Sequence, residues 1–124
     1  MSKKIAIIGG GNLGTSIAEG LISSKFSKAA DITITRRNIN LLEGLRKKGV
    51  VVTSNNSEAV KKSEVVILAV KPFQVKEVVE GIRKELSPGK HIVVSVITGV
   101  FIDDINGIIK KTNPFRDIII FKIF

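Results

Sequence analysis

Gly9-Gly10-Gly11-Asn12-Leu13-Gly14 is a G-x-G-x-x-G turn near the start of the chain. It follows the apolar run Ile5-Ala6-Ile7-Ile8 and precedes an amphipathic stretch. A glycine turn in that strand–turn–helix order is built to hold the pyrophosphate of a dinucleotide. Gly9 permits the tight turn, Gly11 has no Cβ to keep a pyrophosphate off the backbone, and Gly14 lets the helix pack closely on its strand. The free N–H groups and positive dipole end of that helix then face the phosphates. The motif alone is weak, because glycine-rich turns are common; the strand before it and the helical pattern after it carry the reading.

The second signal is Arg36-Arg37, directly after the strand-like Ile32-Thr33-Ile34-Thr35. An NAD-binding fold places an Asp or Glu about 20 residues beyond the glycines, to accept from the ribose 2′-hydroxyl. Here that place holds two guanidinium groups and no acid nearby. A guanidinium grips a 2′-phosphate through forked donors, and a carboxylate would repel it. The functional reading is a preference for NADP(H), with NAD(H) kept as the alternative cofactor. The competing reading is two exposed arginines opening a surface loop.

Three further places fall at strand ends, where open α/β sheets bind ligands. The near-continuously apolar stretch Glu64-Val65-Val66-Ile67-Leu68 leads into Ala69-Val70-Lys71-Pro72, and Pro72 also fits the first position of a helix. Ile97-Thr98-Gly99 follows the fifth strand at the same edge. In Ser54-Asn55-Asn56-Ser57, either Asn could cap the next helix, and Asn56 could also face the adenosine side of a cofactor; from the residues alone, capping is favoured. His91, at the start of its strand, sits at the opposite end and reads as structural. No residue is assigned a catalytic role.

The elements that must position these groups follow from periodicity. Strands are expected at about 4–8, 32–35, 50–53, 64–70, 91–96 and 117–124. A first helix from Asn12 carries Leu13, Ile17 and Leu21, with Ala18 and Ile22, as its core stripe. A second, capped by Asn38, buries Leu41, Leu42 and Leu45 and stops at Gly49. A short helix follows at 58–62, then one after Pro72 with Val75, Val78, Val79, Ile82 and Leu86 inward. A last helix carries Ile102, Ile105, Ile108 and Ile109, with Asp103 and Asp104 in its first turn. The expected fold is α/β: a Rossmann-type, doubly wound, mostly parallel sheet in three layers. Its strand order is 3-2-1-4-5, with a sixth strand at the edge.

The totals bound the rest. A chain of 124 residues fits one domain. It has no cysteine for disulfides or thiolate metal sites, and its one His leaves little for zinc. The 20 basic and 11 acidic residues give a net charge of +9. The basic residues are scattered toward element ends, without Tyr or Trp to interleave, so no nucleic-acid partner is expected. Such a field still attracts a phosphorylated cofactor. No run has the ~20 apolar residues of a membrane span, and the N-terminus is no secretory signal, so a cytoplasmic protein without a membrane partner is expected.

The ordered set Ile7-Ile8-Gly9-Gly10-Gly11-Asn12-Leu13-Gly14, Leu68-Ala69-Val70-Lys71-Pro72 and Val94-Ser95-Val96-Ile97-Thr98-Gly99 resembles pyrroline-5-carboxylate reductase. Arg46-Lys47-Lys48-Gly49-Val50 and His91-Ile92-Val93-Val94-Ser95 add to the resemblance, which covers residues 3–113. It implies NAD(P)H-dependent reduction of the small-molecule substrate 1-pyrroline-5-carboxylate to proline. It implies that Gly11, Asn12 and Leu13 contact the phosphates, that Arg36 and Arg37 lie near the adenosine 2′ position, and that Asn56 lines the adenosine side. Val70, Lys71 and Thr98, with the rest of the Ala69–Pro72 stretch, would border the nicotinamide half.

The chain departs from the family in having Thr98-Gly99 where Ala-Gly is usual. After Asn113 it no longer follows the family, which continues into a helical C-terminal domain that makes the dimer and much of the substrate pocket. The expected division is therefore 1–113 as the NAD(P)-binding domain and 114–124 as a terminal edge strand or aberrant tail. A homo-oligomer is left open. The chain alone is expected to bind NADP(H) and to reduce the pyrroline poorly or not at all. The alternatives are the cofactor domain of another NADP-dependent oxidoreductase, such as a hydroxyacid dehydrogenase or a deazaflavin-dependent NADP reductase, and a non-catalytic NAD(P)-binding regulatory module.

Overall fold

Four consecutive buried apolar residues, Ile5–Ile8, form β1, the strand around which a parallel sheet is laid. A strand buried on both faces reads as an unbroken apolar run, because side chains alternate between two covered sides. The structure, a computed structural model, describes residues 3–111 and 113–123. The other strands are β2 (Ile32–Thr35), β3 (Val51–Thr53), β4 (Val65–Leu68), β5 (Ile92–Ser95) and β6 (Ile119–Lys122). Their order is β3-β2-β1-β4-β5-β6. All five pairings are parallel. The expected 3-2-1-4-5 order with a sixth edge strand is what forms, and the sheet is parallel throughout its described strands.

The helices are α1 (Asn12–Ser23), α2 (Glu43–Lys47), α3 (Asn56–Lys61), α4 (Val75–Ile82) and α5 (Ile102–Ile109). The alternation along β1 divides them between two cores. Ile5 and Ile7 pack with Ile32, Ile34 and Ile67 against Ala18 of α1 and Leu42 and Leu45 at α2. Ala6 and Ile8 pack with Val66, Leu68 and Val93 against α3, α4 and α5, through residues such as Val60, Val79 and Ile105. The result is three layers. The direction of winding reverses between β1 and β4, which opens a crevice at the carboxyl ends of the central strands. No described helix is long and apolar enough to cross a membrane.

Several expectations change in detail. Of the core stripe expected on the first helix, Ile17, Leu21 and Ile22 are partly buried and pack against the core, and Leu13 does not. Leu13 is 44% exposed, while Ala18 is fully buried and Gly14 is also buried. The small residues Gly14 and Ala18, one turn apart, bring the helix close to the sheet, and Ile17, Leu21 and Ile22 pack beside them. The expected second helix is split into a 3-10 turn, Ile39–Leu42, and the short α2. The tighter turn breaks the helical period, so Leu42 and Leu45 are buried and Leu41 is 60% exposed. The third helix starts at Asn56 rather than 58. The strands other than the second are also shorter than expected; the fourth ends at Leu68 rather than Val70.

Strand β6 joins the sheet through β5, in the register Val94 with Phe121 and Ile92 with Ile119. It is an edge among the described strands, and Ile119 and Phe121 are 57% and 56% exposed.

Candidate functional site

The carboxyl ends of β1, β2 and β3 open into a cleft of about 920 Å³. Its floor is Ile8–Gly11, one wall is Thr35–Asn38 with Leu41, and the Ser54–Ser57 loop and α4 close the far side. Of the residues singled out in the sequence, Gly9, Gly11, Arg36, Arg37, Asn56 and Val70 line this cleft.

The glycine turn is held in place by the end of β2. The N–H of Gly10 donates to the carbonyl of Thr35 at 2.6 Å. The N–H of Gly9 donates to Thr35 Oγ1 at 3.3 Å. Gly9 has φ +110°, and a Cβ there would lie 2.8 Å from the carbonyl oxygen of Ala69, so both backbone and space demand glycine. At Gly14 a Cβ would lie 2.0 Å from the Gly9 carbonyl oxygen. This is the contact that lets α1 descend onto the turn.

Gly11 is different. Its φ is −77°, which any residue adopts, and a Cβ there would meet no protein atom within 4 Å. Neither conformation nor packing requires glycine at this position. The space over it belongs to the cleft. Gly11 is also the N-cap of α1, with no side-chain cap and no acid in the first turn. The first backbone bond of the helix is Thr15 N–H to Gly11 O at 2.9 Å, so the amides of Asn12 and Leu13 precede it and have no helical acceptor. An uncapped, acid-free helix start with an open floor fits an anion.

The two arginines do different things. Arg36 is half-buried; its backbone N–H donates to Thr53 O at 3.2 Å and its Nη1 donates to the Gly10 carbonyl at 2.8 Å. Arg37 is exposed, and among the described residues its side chain makes no hydrogen bond or ion pair. The two asparagines also separate. Asn55 is the cap of α3, its Oδ1 accepting from Glu58 N–H at 3.0 Å, which leaves Asn56 free of that duty on the cleft wall.

The remaining sequence candidates lie outside the cleft. Asn12 and Leu13 are exposed at the start of α1, and Gly14 and Ala69 are structural supports of the turn. Lys71, Pro72 and Thr98 are exposed at the carboxyl ends of β4 and β5, further along the same sheet edge. Pro72 opens a 3-10 turn, Pro72–Gln74, whose start is fixed by Lys71 N–H donating to Gln74 Oε1 at 3.0 Å.

Sequence reasoning missed the contribution of α4. Gln74, Glu77, Val78 and Gly81 line the cleft opposite the arginines, and Ser57 Oγ ties α3 to α4 through the Gly81 carbonyl at 3.1 Å. Glu77 brings a carboxylate to a cleft that the sequence around Arg36-Arg37 lacked. The available signal was Gln three residues after Lys71, a side chain placed to bond back to the start of a helical turn. Leu41 was missed because it was counted with the core.

His91 lies where the sequence placed it, away from the cleft, and is 2% exposed. Its Nδ1 accepts from Ser87 N–H at 2.9 Å, so Nε2 carries the proton and donates to Val60 O at 3.0 Å. This ring joins β5 to α3. His91→Ala leaves the part-buried Ser87 amide without a partner and removes one of two donors to the Val60 carbonyl, which keeps Ser63 N–H at 3.1 Å; thermal unfolding should show a loss of about 1–3 kcal/mol.

Residues 4–99 match the protein family described as "NADP oxidoreductase coenzyme F420-dependent". The chain belongs to the F420-dependent NADP oxidoreductase family. Within that family description, the chain is similar to pyrroline-5-carboxylate reductases. It is 37% identical over 110 residues to pyrroline-5-carboxylate reductase 1 of Dictyostelium discoideum, covering 89% of this chain and 20% of the relative. It is 41% identical over 105 residues to pyrroline-5-carboxylate reductase 2 of the same organism, covering 84% and 35%. The solved structure of a pyrroline-5-carboxylate reductase from Coxiella burnetii superposes with a TM-score of 0.82 at 35% identity, covering 90% of this chain and 41% of that one. The chain thus spans between 20% and 38% of the length of the curated relatives it matches, at their N-terminal part.

Proposed function

We propose that this chain is the NADP(H)-binding domain of a reductase that converts 1-pyrroline-5-carboxylate to L-proline. Gly11 carries this reading: a glycine that neither conformation nor packing explains, at an uncapped helix start, on the floor of a cleft. In this reading the pyrophosphate lies over Gly11 and the amides of Asn12 and Leu13. Arg37 takes the 2′-phosphate, and Asn56 and Leu41 border the adenosine. Val70, Lys71, Pro72 and Thr98 border the nicotinamide half, beyond Ala69. The family description supports NADP, and the relatives' names support the pyrroline substrate.

When bound, the nicotinamide supplies a hydride to the carbon of the ring C=N, and a proton is taken up at the nitrogen. The residues of this chain bind and orient. The glycine turn and the first turn of α1 fix the phosphates, and the ends of β4 and β5 set the face presented to the substrate. The 124-residue chain is expected to bind the cofactor with little reduction of the pyrroline, which an assay of NADPH oxidation with the pyrroline substrate checks.

Gly11→Val tests the reading separately from the fold. The valine side chain projects into open space, so unliganded thermal unfolding should stay within about 1 kcal/mol of wild type. NADPH at about 100 times its dissociation constant should stabilise the wild type by about 2.7 kcal/mol. It should not stabilise the variant. An equal shift in both proteins would remove the pyrophosphate from this floor.

A further inference from the structure

We propose that Arg36 is a positioning residue for the glycine turn, and that Arg37 alone distinguishes a 2′-phosphate from a 2′-hydroxyl. This rests on the dinucleotide reading above and divides a role that the spacing had assigned to both arginines. Three polar backbone groups of the turn face β2: the N–H of Gly9, the N–H of Gly10 and the carbonyl of Gly10. Thr35 takes the first two, through Oγ1 at 3.3 Å and its carbonyl at 2.6 Å. Arg36 takes the third, through Nη1 at 2.8 Å, and Thr15 Oγ1 reaches the same oxygen at 3.4 Å.

The Gly10 carbonyl is therefore held from both sides. Gly10 is buried, and a Cβ there would lie 2.8 Å from Leu42 Cδ2, so the peptide has little room to turn over. That carbonyl and the Gly11 amide belong to one planar trans peptide, so holding the carbonyl fixes the opposite direction in which the Gly11 N–H points. The guanidinium is anchored in turn, because the Arg36 backbone is bonded to Thr53 of β3 at 3.2 Å. Arg36 thus joins β3, β2 and the turn, with its head bound to backbone. Arg37, next to it, is exposed and lines the cleft with no partner among the described residues. A charge held against the turn affects every ligand with a pyrophosphate. A free forked donor affects only a ligand that brings a second anion to it.

The test is calorimetric titration of the 124-residue chain, and of its Arg36→Ala, Arg36→Lys and Arg37→Ala variants, with NADPH and with NADH. Arg36→Ala should weaken both dinucleotides by about tenfold, the loss expected for one charge-assisted hydrogen bond, and keep their ratio. Arg36→Lys should recover most of that loss, because an ammonium still donates to one carbonyl. Arg37→Ala should lower the NADPH-to-NADH preference. In the unliganded chain, amide exchange at Gly10 and Gly11 should quicken in Arg36→Ala and stay unchanged in Arg37→Ala.

Selective loss of NADPH in Arg36→Ala would overturn the assignment by making Arg36 a phosphate ligand. So would unchanged affinities accompanied only by a lower unfolding temperature, which would make Arg36 a support of the fold alone. A wild-type chain that binds neither dinucleotide overturns the dinucleotide reading, and this assignment with it. Every other outcome judges Arg36 by itself.

Discussion

Gly14→Ala lowers the unfolding temperature by about 10 °C or more and abolishes cofactor binding. The added Cβ would sit 2.0 Å from the Gly9 carbonyl oxygen and 3.3 Å from Ile7 Cγ2. The first neighbour is backbone, fixed by a sheet that is buried on both faces, so α1 itself must lift. Overpacking of this kind costs about 3 kcal/mol, beyond the ~1 kcal/mol that alanine contributes to a helix interior. For a domain of this size each kcal/mol moves the midpoint by about 3–5 °C. Lifting α1 also carries the Asn12 and Leu13 amides away from the cleft floor. Gly20→Ala, on the same helix with nothing within 4 Å of its Cβ, is the control. It should raise the midpoint slightly through helix propensity alone. Scanning calorimetry of the two variants separates close packing from propensity.

Arg37→Ala reduces the preference for NADPH over NADH by about 30-fold. A forked, charge-assisted contact to a phosphate contributes about 2 kcal/mol at a partly exposed site, and 1.4 kcal/mol is a factor of ten. Arg37 has no competing partner among the described residues to hold it elsewhere. The change should lie almost wholly in the NADPH affinity, because NADH brings no charge to this position. Glu77 sets the sign of what remains. It is the carboxylate on the α4 side of the cleft and disfavours an additional anion once the guanidinium is gone.

Much of the fold was legible because most strands are short apolar runs bounded by glycine or polar residues, and β2 is a short β-branched Ile–Thr alternation. A run buried on both faces admits few places in a sheet other than the centre. Ile5–Ile8 and Val65–Leu68 became the two central strands for that reason. The glycine turn was legible through its spacing, and the structure assigns each glycine a separate physical demand: φ at Gly9, contact at Gly14 and open space at Gly11.

What escaped the sequence depends on tertiary placement. Leu41 and Leu42 are adjacent apolar residues, and only the 3-10 turn decides which is buried. Asn55 and Asn56 are both capable caps, and one hydrogen bond to Glu58 N–H decides between them. Gln74, Glu77, Val78 and Gly81 enter the site because α4 packs beside α3, a crossing between segments far apart in the chain. The division of labour between Arg36 and Arg37 was likewise hidden, since adjacent identical side chains differ only in what lies within reach of each.

The central claim is that the Gly9–Gly11 floor and Arg37 together form a site for NADP(H). Isothermal titration of the 124-residue chain with NADPH and with NADH tests it most directly. One-to-one binding of both is expected, with NADPH tighter by about tenfold or more. NADH binding at least as tightly as NADPH, or no binding of either, would contradict it.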